Sequence, residues 1–332
     1  MTATISTTTR GRPMSNSRPA GAIALDIGGT KIAAGLVIWP SGKVLNRTVV
    51  PTRATRGGLP VLEDALNLAA DLHAWACSHD IQIAGIGAGV AELVDCEGNV
   101  TSSCTIAWRE VPVQRELSKI APAQVDSDVR TAALAEAIFG AGQRQSHFVY
   151  ITVGTGISHC LVENGRPYKG TRGNAIAFAS SPLSSNCPCC GARLEQVLEE
   201  FASGPAVARR FRERQQELGA PQPSPAVESA YDVFLAAAEG NGAAVEILTS
   251  AGEALGVSAA FLVNVLDPGL MVVGGGVGLA GGPYWDAFEK GCRAHIFADS
   301  SRRLPIIPAK LGVDAGLVGA GAIVFAQSRA AG

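Results

Sequence analysis

Asp26-Ile27-Gly28-Gly29-Thr30-Lys31 follows the apolar run Ala22-Ile23-Ala24-Leu25 and precedes a second one, Ile32 to Trp39. Apolar run, glycine turn, apolar run predicts a β-hairpin. A phosphate needs backbone N–H groups aimed inward with no Cβ in the way. Gly28 and Gly29, followed by the hydroxyl of Thr30, meet that need. Asp26, closing a buried strand, is placed to hold a magnesium ion through water. The plainer alternative is an ordinary hairpin turn, and an aspartate ending an apolar strand beside two glycines weighs against it. A P-loop is excluded, because no G-x-x-x-x-G-K-[ST] occurs and the turn runs into a strand instead of a helix.

The pattern recurs at mid-chain. Phe148 to Val153 predicts a strand, Gly154-Thr155-Gly156 a turn, and Ile157 to Val162 the return strand. Two strand–Gly/Thr turn–strand units in one chain suggest two related lobes, with a second phosphate cradle in the second. A third glycine site, Gly274-Gly275-Gly276, ends the apolar run Leu270 to Val273. It reads either as a strand-to-helix turn or as a flat backbone against which adenine and ribose can lie. Between the hairpins, Val125-Asp126-Ser127-Asp128 leads into the alanine-rich run Val129 to Glu136. Ser127 or Asp128 suits a helix cap, and Asp128 also suits chemistry. Helices are further expected over Val61 to Ser78, Leu194 to Leu218 (interrupted at Gly204-Pro205), twice within Val227 to Leu266, and over Ala315 to Ala326.

The chain has 332 residues, 47% hydrophobic and 17% charged, with a formal net charge of -2. That length suits two lobes better than one core. No basic run speaks for nucleic acid, and no apolar stretch suggests a membrane span. Residues 1–20 are rich in Ser, Thr and Arg and lack an apolar core, so a secretory signal is disfavoured. A disordered tail is the preferred reading and a cytoplasmic location the expectation. Most of the eight cysteines are scattered singly, as in a reduced chain. A dinucleotide-binding dehydrogenase fails on spacing, since no glycine turn leads from a strand into a helix in the required pattern.

Taken in order, DIGGTK, GIGAG, TIAWREVPV, DSDVRTAALAE, GTGIS, GNAIAFAS, CPCCG, EEFASG and VVGGGV resemble the ROK family of sugar kinases and related repressors. The resemblance implies an α/β fold, the two-lobed actin-like ATPase (ribonuclease H-like) architecture. Residues 21–127 plus 312–332 are expected to form the smaller lobe and 128–311 the larger. ATP and magnesium are implied, with Asp26, Gly28, Gly29, Thr30, Lys31, Gly154, Thr155 and Gly156 at the phosphates. Gly274, Gly275 and Gly276 correspond to the adenosine loop, and Asp128 to the catalytic aspartate. A homodimer and a small polyol substrate are implied as well. The family's repressors carry a winged helix-turn-helix that residues 1–20 cannot supply.

Departures from the family pattern concentrate where a sugar would sit. After Gly173-Asn174-Ala175, Ala177 stands in place of a sugar-binding glutamate and Ser180 in place of a histidine that binds sugar and zinc. Thr105 stands where an asparagine is common, Ser127 replaces the asparagine before Asp128, and Ser158 and His159 replace two glycines. Losing a hydrogen bond to a charged group costs about 1.5–3 kcal/mol. The expectation is therefore a changed acceptor, such as a C7-cyclitol or carbasugar, with Arg130 and His159 as candidate replacement contacts. A non-catalytic sensor is the alternative. In Cys187-Pro188-Cys189-Cys190-Gly191, Cys187 and Cys190 have zinc-knuckle spacing and Cys189 offers a third thiolate. The family's further cysteine and histidine are absent, so a zinc site and a metal-free loop stand side by side.

Overall fold

The computed structural model describes residues 19–181, 183–186, 189–190, 193–219 and 227–328. The first unit starts with β1 (Ala20–Ile27), β2 (Lys31–Ile38) and β3 (Lys43–Pro51), continues through α1 (Gly58–Ser78) and β4 (Gln82–Val90), and after α2 (Val113–Leu117) ends with β5 (Ala123–Ser127). The sheet order is β3-β2-β1-β4-β5. β1 pairs antiparallel with β2, whereas β1, β4 and β5 run parallel. Strands covered on both faces read as continuous apolar runs, which is why β1 and β2 were legible. On one face α1 contributes Val61, Leu62, Ala65, Ala69, Leu72 and Ala76, at helical spacing, to a core with Ile23, Leu25 and Ile86.

The chain then enters α3 (Asp128–Phe139) and a second sheet through β6 (His147–Val153), β7 (Ile157–Glu163) and the short β8 (Arg166–Pro167). A two-stranded ribbon, β9 (Leu183–Asn186) and β10 (Arg193–Gln196), precedes α4 (Leu198–Ala202), α5 (Gly204–Glu217), α6 (Ala230–Ala238) and α7 (Gly242–Leu266). β11 (Met271–Gly274), α8 (Gly282–His295), β12 (Ile306–Pro308) and α9 (Ala315–Ser328) complete the described chain. The second sheet has the order β12-β11-β6-β7-β8, again with an antiparallel hairpin beside parallel strands. Both sheets thus carry a glycine-turn hairpin, as the repeat in sequence suggested. α9 returns to the first sheet, where Leu317 and Ala320 pack on Ala24, Ala33 and Val37.

Leu194 to Gln196, expected as the start of a helix, is instead strand β10, paired with β9; cross-strand hydrogen bonding overrides the local helical pattern. β3, β5, α8 and β12 had no prior reading. α7 is long and apolar enough to cross a membrane, which the sequence reading had not flagged. Half of its apolar window is buried, and Leu248, Ala251, Leu255 and Ala259 join the core containing Tyr284 and Phe288 of α8.

Candidate active site

The parallel strands of the first sheet end side by side. Ile27 of β1 faces Val90 of β4, and Val90 faces Ser127 of β5. Ligands of open α/β sheets bind beyond such carboxyl ends. Here the residues just before, at or beyond those ends are Asp26, Gly28, Gly29 and Asp128. Asp26, Lys31, Asp128, Tyr150, Gly275, Gly276 and Gly316 line one cleft of about 220 Å³ between the two sheets. Five of the predicted residues are therefore brought together, from positions far apart in the chain.

The two predicted phosphate turns adjoin the cleft only through their neighbours: Lys31 and Thr152 line it, whereas Gly28, Gly29, Thr30, Gly154, Thr155 and Gly156 are not among its lining residues. In the first, the Gly28 N–H donates to the Lys31 carbonyl at 3.0 Å, and buried Thr52 donates its hydroxyl to the Gly28 carbonyl at 2.6 Å. In the second, the Gly154 N–H donates to the Gly156 carbonyl at 2.9 Å, while the Glu199 carboxylate accepts the Ile157 N–H at 2.7 Å. Thr155 at its tip is exposed. The glycine loop after β11 is fastened to this turn, because the Val153 carbonyl accepts from Val277 and Gly278. Gly275 has φ +82°, and a Cβ there would meet the Val153 carbonyl at 2.3 Å, so both conformation and space require glycine.

Asp128 occupies the first turn of α3, where Oδ1 accepts the Val129 N–H at 2.7 Å. Ser127 is the N-cap residue of α3, as one of the two expected alternatives had it, but its side chain makes no capping bond. Ser127 is fully buried, and its hydroxyl makes no hydrogen bond. Burial pushes the Asp128 carboxyl up to about 7; the nearby Asp26 charge adds to this, and the Val129 amide and Arg130 oppose it. Asp26 is pushed up to about 6 by burial, partly offset by Lys31 and Arg47. Gly316 of α9 faces Asp26 so closely that a Cβ would lie 2.6 Å from Oδ2.

These shifts set the sign of a pH effect. Both carboxyls bind protons more tightly folded than in the unfolded chain, where they titrate near 3.8. Their stabilising contribution is complete below about pH 4 and is lost as pH rises through about 6 to 7. Asp26→Asn should therefore melt at a higher temperature than the parent at pH 8, with the gain shrinking towards pH 5. Thermal melts of both proteins across that range, without nucleotide, check this.

The predicted substrate residues are placed differently. Arg130, expected as a substrate contact, is fully buried. Its guanidinium pairs with Asp126 and donates to the Gly173 carbonyl and, at 2.7 Å, to the Val94 carbonyl. With every arm spent on the protein, it clamps three segments together and is not free for an acceptor. His159 is likewise committed: its backbone N–H and its ring lie 3.4 and 3.3 Å from the Ile176 carbonyl, and Ser158 donates to that same carbonyl at 2.9 Å. Burial holds the His159 pKa below its usual value, partly offset by its bond to Ile176. The residues replacing two family glycines thus tether the 173–180 loop, on which Asn174, Ala177 and Ser180 are exposed. Thr105 donates its N–H to Glu92 at 2.5 Å.

Cys187 lies outside the described residues. Cys189 and Cys190 are free and exposed, and among the described residues no group of three or more His, Cys, Asp or Glu side chains is placed to hold a metal. Thr52, Glu92, Glu199 and Gly316 had not been singled out. Each acts through a partner distant in sequence, and only the EEFASG string containing Glu199 carried a local signal.

Comparison with known proteins places the chain in a family. A glucokinase from Halalkalibacterium halodurans is 29% identical over 319 residues, spanning 92% of this chain and 95% of that one. A glucokinase from Streptomyces coelicolor is 30% identical over 312 residues, spanning 90% and 95%. The solved structure of a ROK family glucokinase from Streptomyces griseus, in complex with glucose and AMPPNP, matches with a TM-score of 0.77 at 28% identity, covering 91% of this chain and 98% of that one. The ROK family model matches residues 22–327, and the chain belongs to the ROK family.

Proposed function

We propose that this chain is an ATP-dependent kinase that phosphorylates a hydroxyl of a sugar or sugar-like polyol. The observation that carries the reading is the meeting of Asp26, Lys31, Asp128, Gly275 and Gly276 in one interlobe cleft. Phosphoryl transfer needs alignment, charge neutralisation and an acceptor for the hydroxyl proton. The glycine loop after β11 offers a flat backbone to the adenosine, and the two hairpin turns offer backbone amides to the phosphates. Lys31 supplies positive charge at the cleft mouth.

Asp128 receives the proton. Its Oδ1 is engaged by the Val129 amide, so Oδ2 is the oxygen for the acceptor hydroxyl. A carboxyl titrating near 7 is well matched to a proton taken at neutral pH. Magnesium fits this site on charge and donor type, because Asp26 is a buried carboxylate beside a second one and offers the hard oxygen this ion prefers. Held there, it would neutralise the charge of the transferred group.

Exposed Ala177 and Ser180 leave the 173–180 loop without the acid and imidazole of the family pattern, which supports an acceptor other than an ordinary hexose, a cyclitol or carbasugar among them. The same two substitutions favour the second reading, a sensor that binds nucleotide or sugar without turnover. ADP release measured with ATP, magnesium and a panel of hexoses, N-acetylhexosamines and cyclitols separates them. Turnover of a cyclitol at least tenfold above glucose is expected. Robust glucose turnover at low millimolar concentration would refute the changed acceptor, and no turnover with any member would favour the sensor.

A further inference from the structure

Glu92 lies just past the end of β4 and is only 5% exposed. Its carboxylate is enclosed by donors from a single stretch, residues 102–106. Oε1 accepts the N–H groups of Thr105 at 2.5 Å and Ile106 at 2.6 Å, and Oε2 accepts the N–H of Cys104 at 2.9 Å and the hydroxyl of Ser102. Successive backbone N–H groups aimed at one point form an anion nest. Here the anion is supplied by the chain itself, and bonds to a charged acceptor are the strong ones. The shape of 102–106 is therefore set by one side chain.

That stretch borders the Gly28-Gly29 turn. The Thr105 methyl stands against the first phosphate turn, where a Cβ on Gly29 would come within 2.3 Å of it. Ser102 also donates nothing outward, since its hydroxyl serves both the Leu93 amide, at 2.8 Å, and Glu92. The strand register puts Glu92 two residues beyond Val90, at the same sheet end as Asp128, one residue beyond Ser127. The charge of Glu92 acts on Asp128 in the direction of weaker acidity, alongside the larger effects of burial and Asp26.

We propose that Glu92 is a positioning residue of the acceptor subsite, whose carboxylate folds residues 102–106 into the wall that holds the acceptor hydroxyl between the Gly28-Gly29 turn and Asp128. The proposal rests on the kinase reading and deepens it. It differs from a general packing role in requiring the negative charge. A glutamine fills the same volume and can still accept from Thr105 and Ile106, but its amide N–H₂ would face the N–H of Cys104, donor against donor.

The test compares Glu92→Gln and Glu92→Ala with the parent in three measurements. Amide hydrogen exchange over 102–106, read by mass spectrometry, is expected to speed up at least tenfold in both variants. The KM for the best acceptor of the panel should rise about tenfold in Glu92→Gln, with the KM for ATP within twofold. The acid limb of kcat/KM should move to lower pH, because a negative neighbour of Asp128 is gone. Formate added to Glu92→Ala should restore part of the lost acceptor affinity by refilling the nest. Unchanged exchange and acceptor KM in Glu92→Gln, in a protein whose parent turns over an acceptor, would overturn the role of Glu92 and leave the kinase reading intact. A parent that turns over no acceptor would overturn the kinase reading, and the acceptor role with it, whatever the exchange shows.

Discussion

Asp128→Asn is expected to lower kcat by about 10²–10⁴-fold, the usual contribution of a positioned general base. The substitution keeps the size of the side chain, and its amide oxygen can still accept the Val129 N–H that holds Oδ1 at 2.7 Å. Affinity for a non-hydrolysable ATP analogue should therefore stay within a few fold or improve, because a buried negative charge near Asp26 is removed. The parent should show a kcat/KM that rises with pH through an acid limb near 7, reflecting a carboxyl pushed up by burial first and by Asp26 second. In the variant that limb should disappear from whatever activity remains. Steady-state kinetics from pH 5.5 to 8.5, with calorimetric binding of the analogue, decide the matter. An Asn variant retaining a tenth or more of the parent's kcat would remove Asp128 from the chemistry.

The second large effect is on stability. Arg130→Met should destabilise the protein by about 3–5 kcal/mol, the cost of breaking a buried ion pair by removing one partner. Arg130 is fully buried and joins the Asp126 carboxylate to the carbonyls of Val94 and Gly173. Methionine fills much of the space but leaves both carbonyls without that donor and Asp126 without its buried cation. Lys169, 3.0 Å from Asp126 and more exposed, offsets only part of the loss. Pairing the change with Asp126→Asn should recover a measurable share, since the uncompensated charge is then gone. Urea unfolding of the parent, the single and the double variants measures this. A single variant within 1 kcal/mol of the parent, on the scale of an ordinary surface substitution, would contradict the clamp.

The clamp also shows where sequence reasoning stopped short. Arg130 stands two residues after the predicted base, and in one dimension that proximity reads as a place at the substrate. Along a helix, residues two apart point in different directions. Asp128 faces the cleft, and Arg130 turns to Asp126, four residues back from it and within reach. His159 was misplaced for a related reason. β7 runs beside the 173–180 loop, and the Ile176 carbonyl there takes up both the backbone N–H and the ring of His159. Glu92 was missed because neither Ala91 nor Leu93 marks it as special. Its importance comes wholly from the amides of a segment ten and more residues later.

What sequence alone determined about this protein is the set of turns and the strands they join. Gly28-Gly29-Thr30, Gly154-Thr155-Gly156 and Gly274-Gly275-Gly276 were legible because glycine-rich breaks between apolar runs mark turns locally, although only Gly275 among these glycines has the left-handed φ, and Gly154 and Gly276 have open space where a Cβ would lie. The apolar runs around them were legible because both faces of each central strand are covered. Only the tertiary structure decided which charged groups meet. Asp26 and Asp128 share a cleft, while Arg130 and His159 are spent on carbonyls. A buried charge takes its role from whichever partner the packed chain brings within about 3 Å, and the identity of that partner is not encoded next to it in sequence.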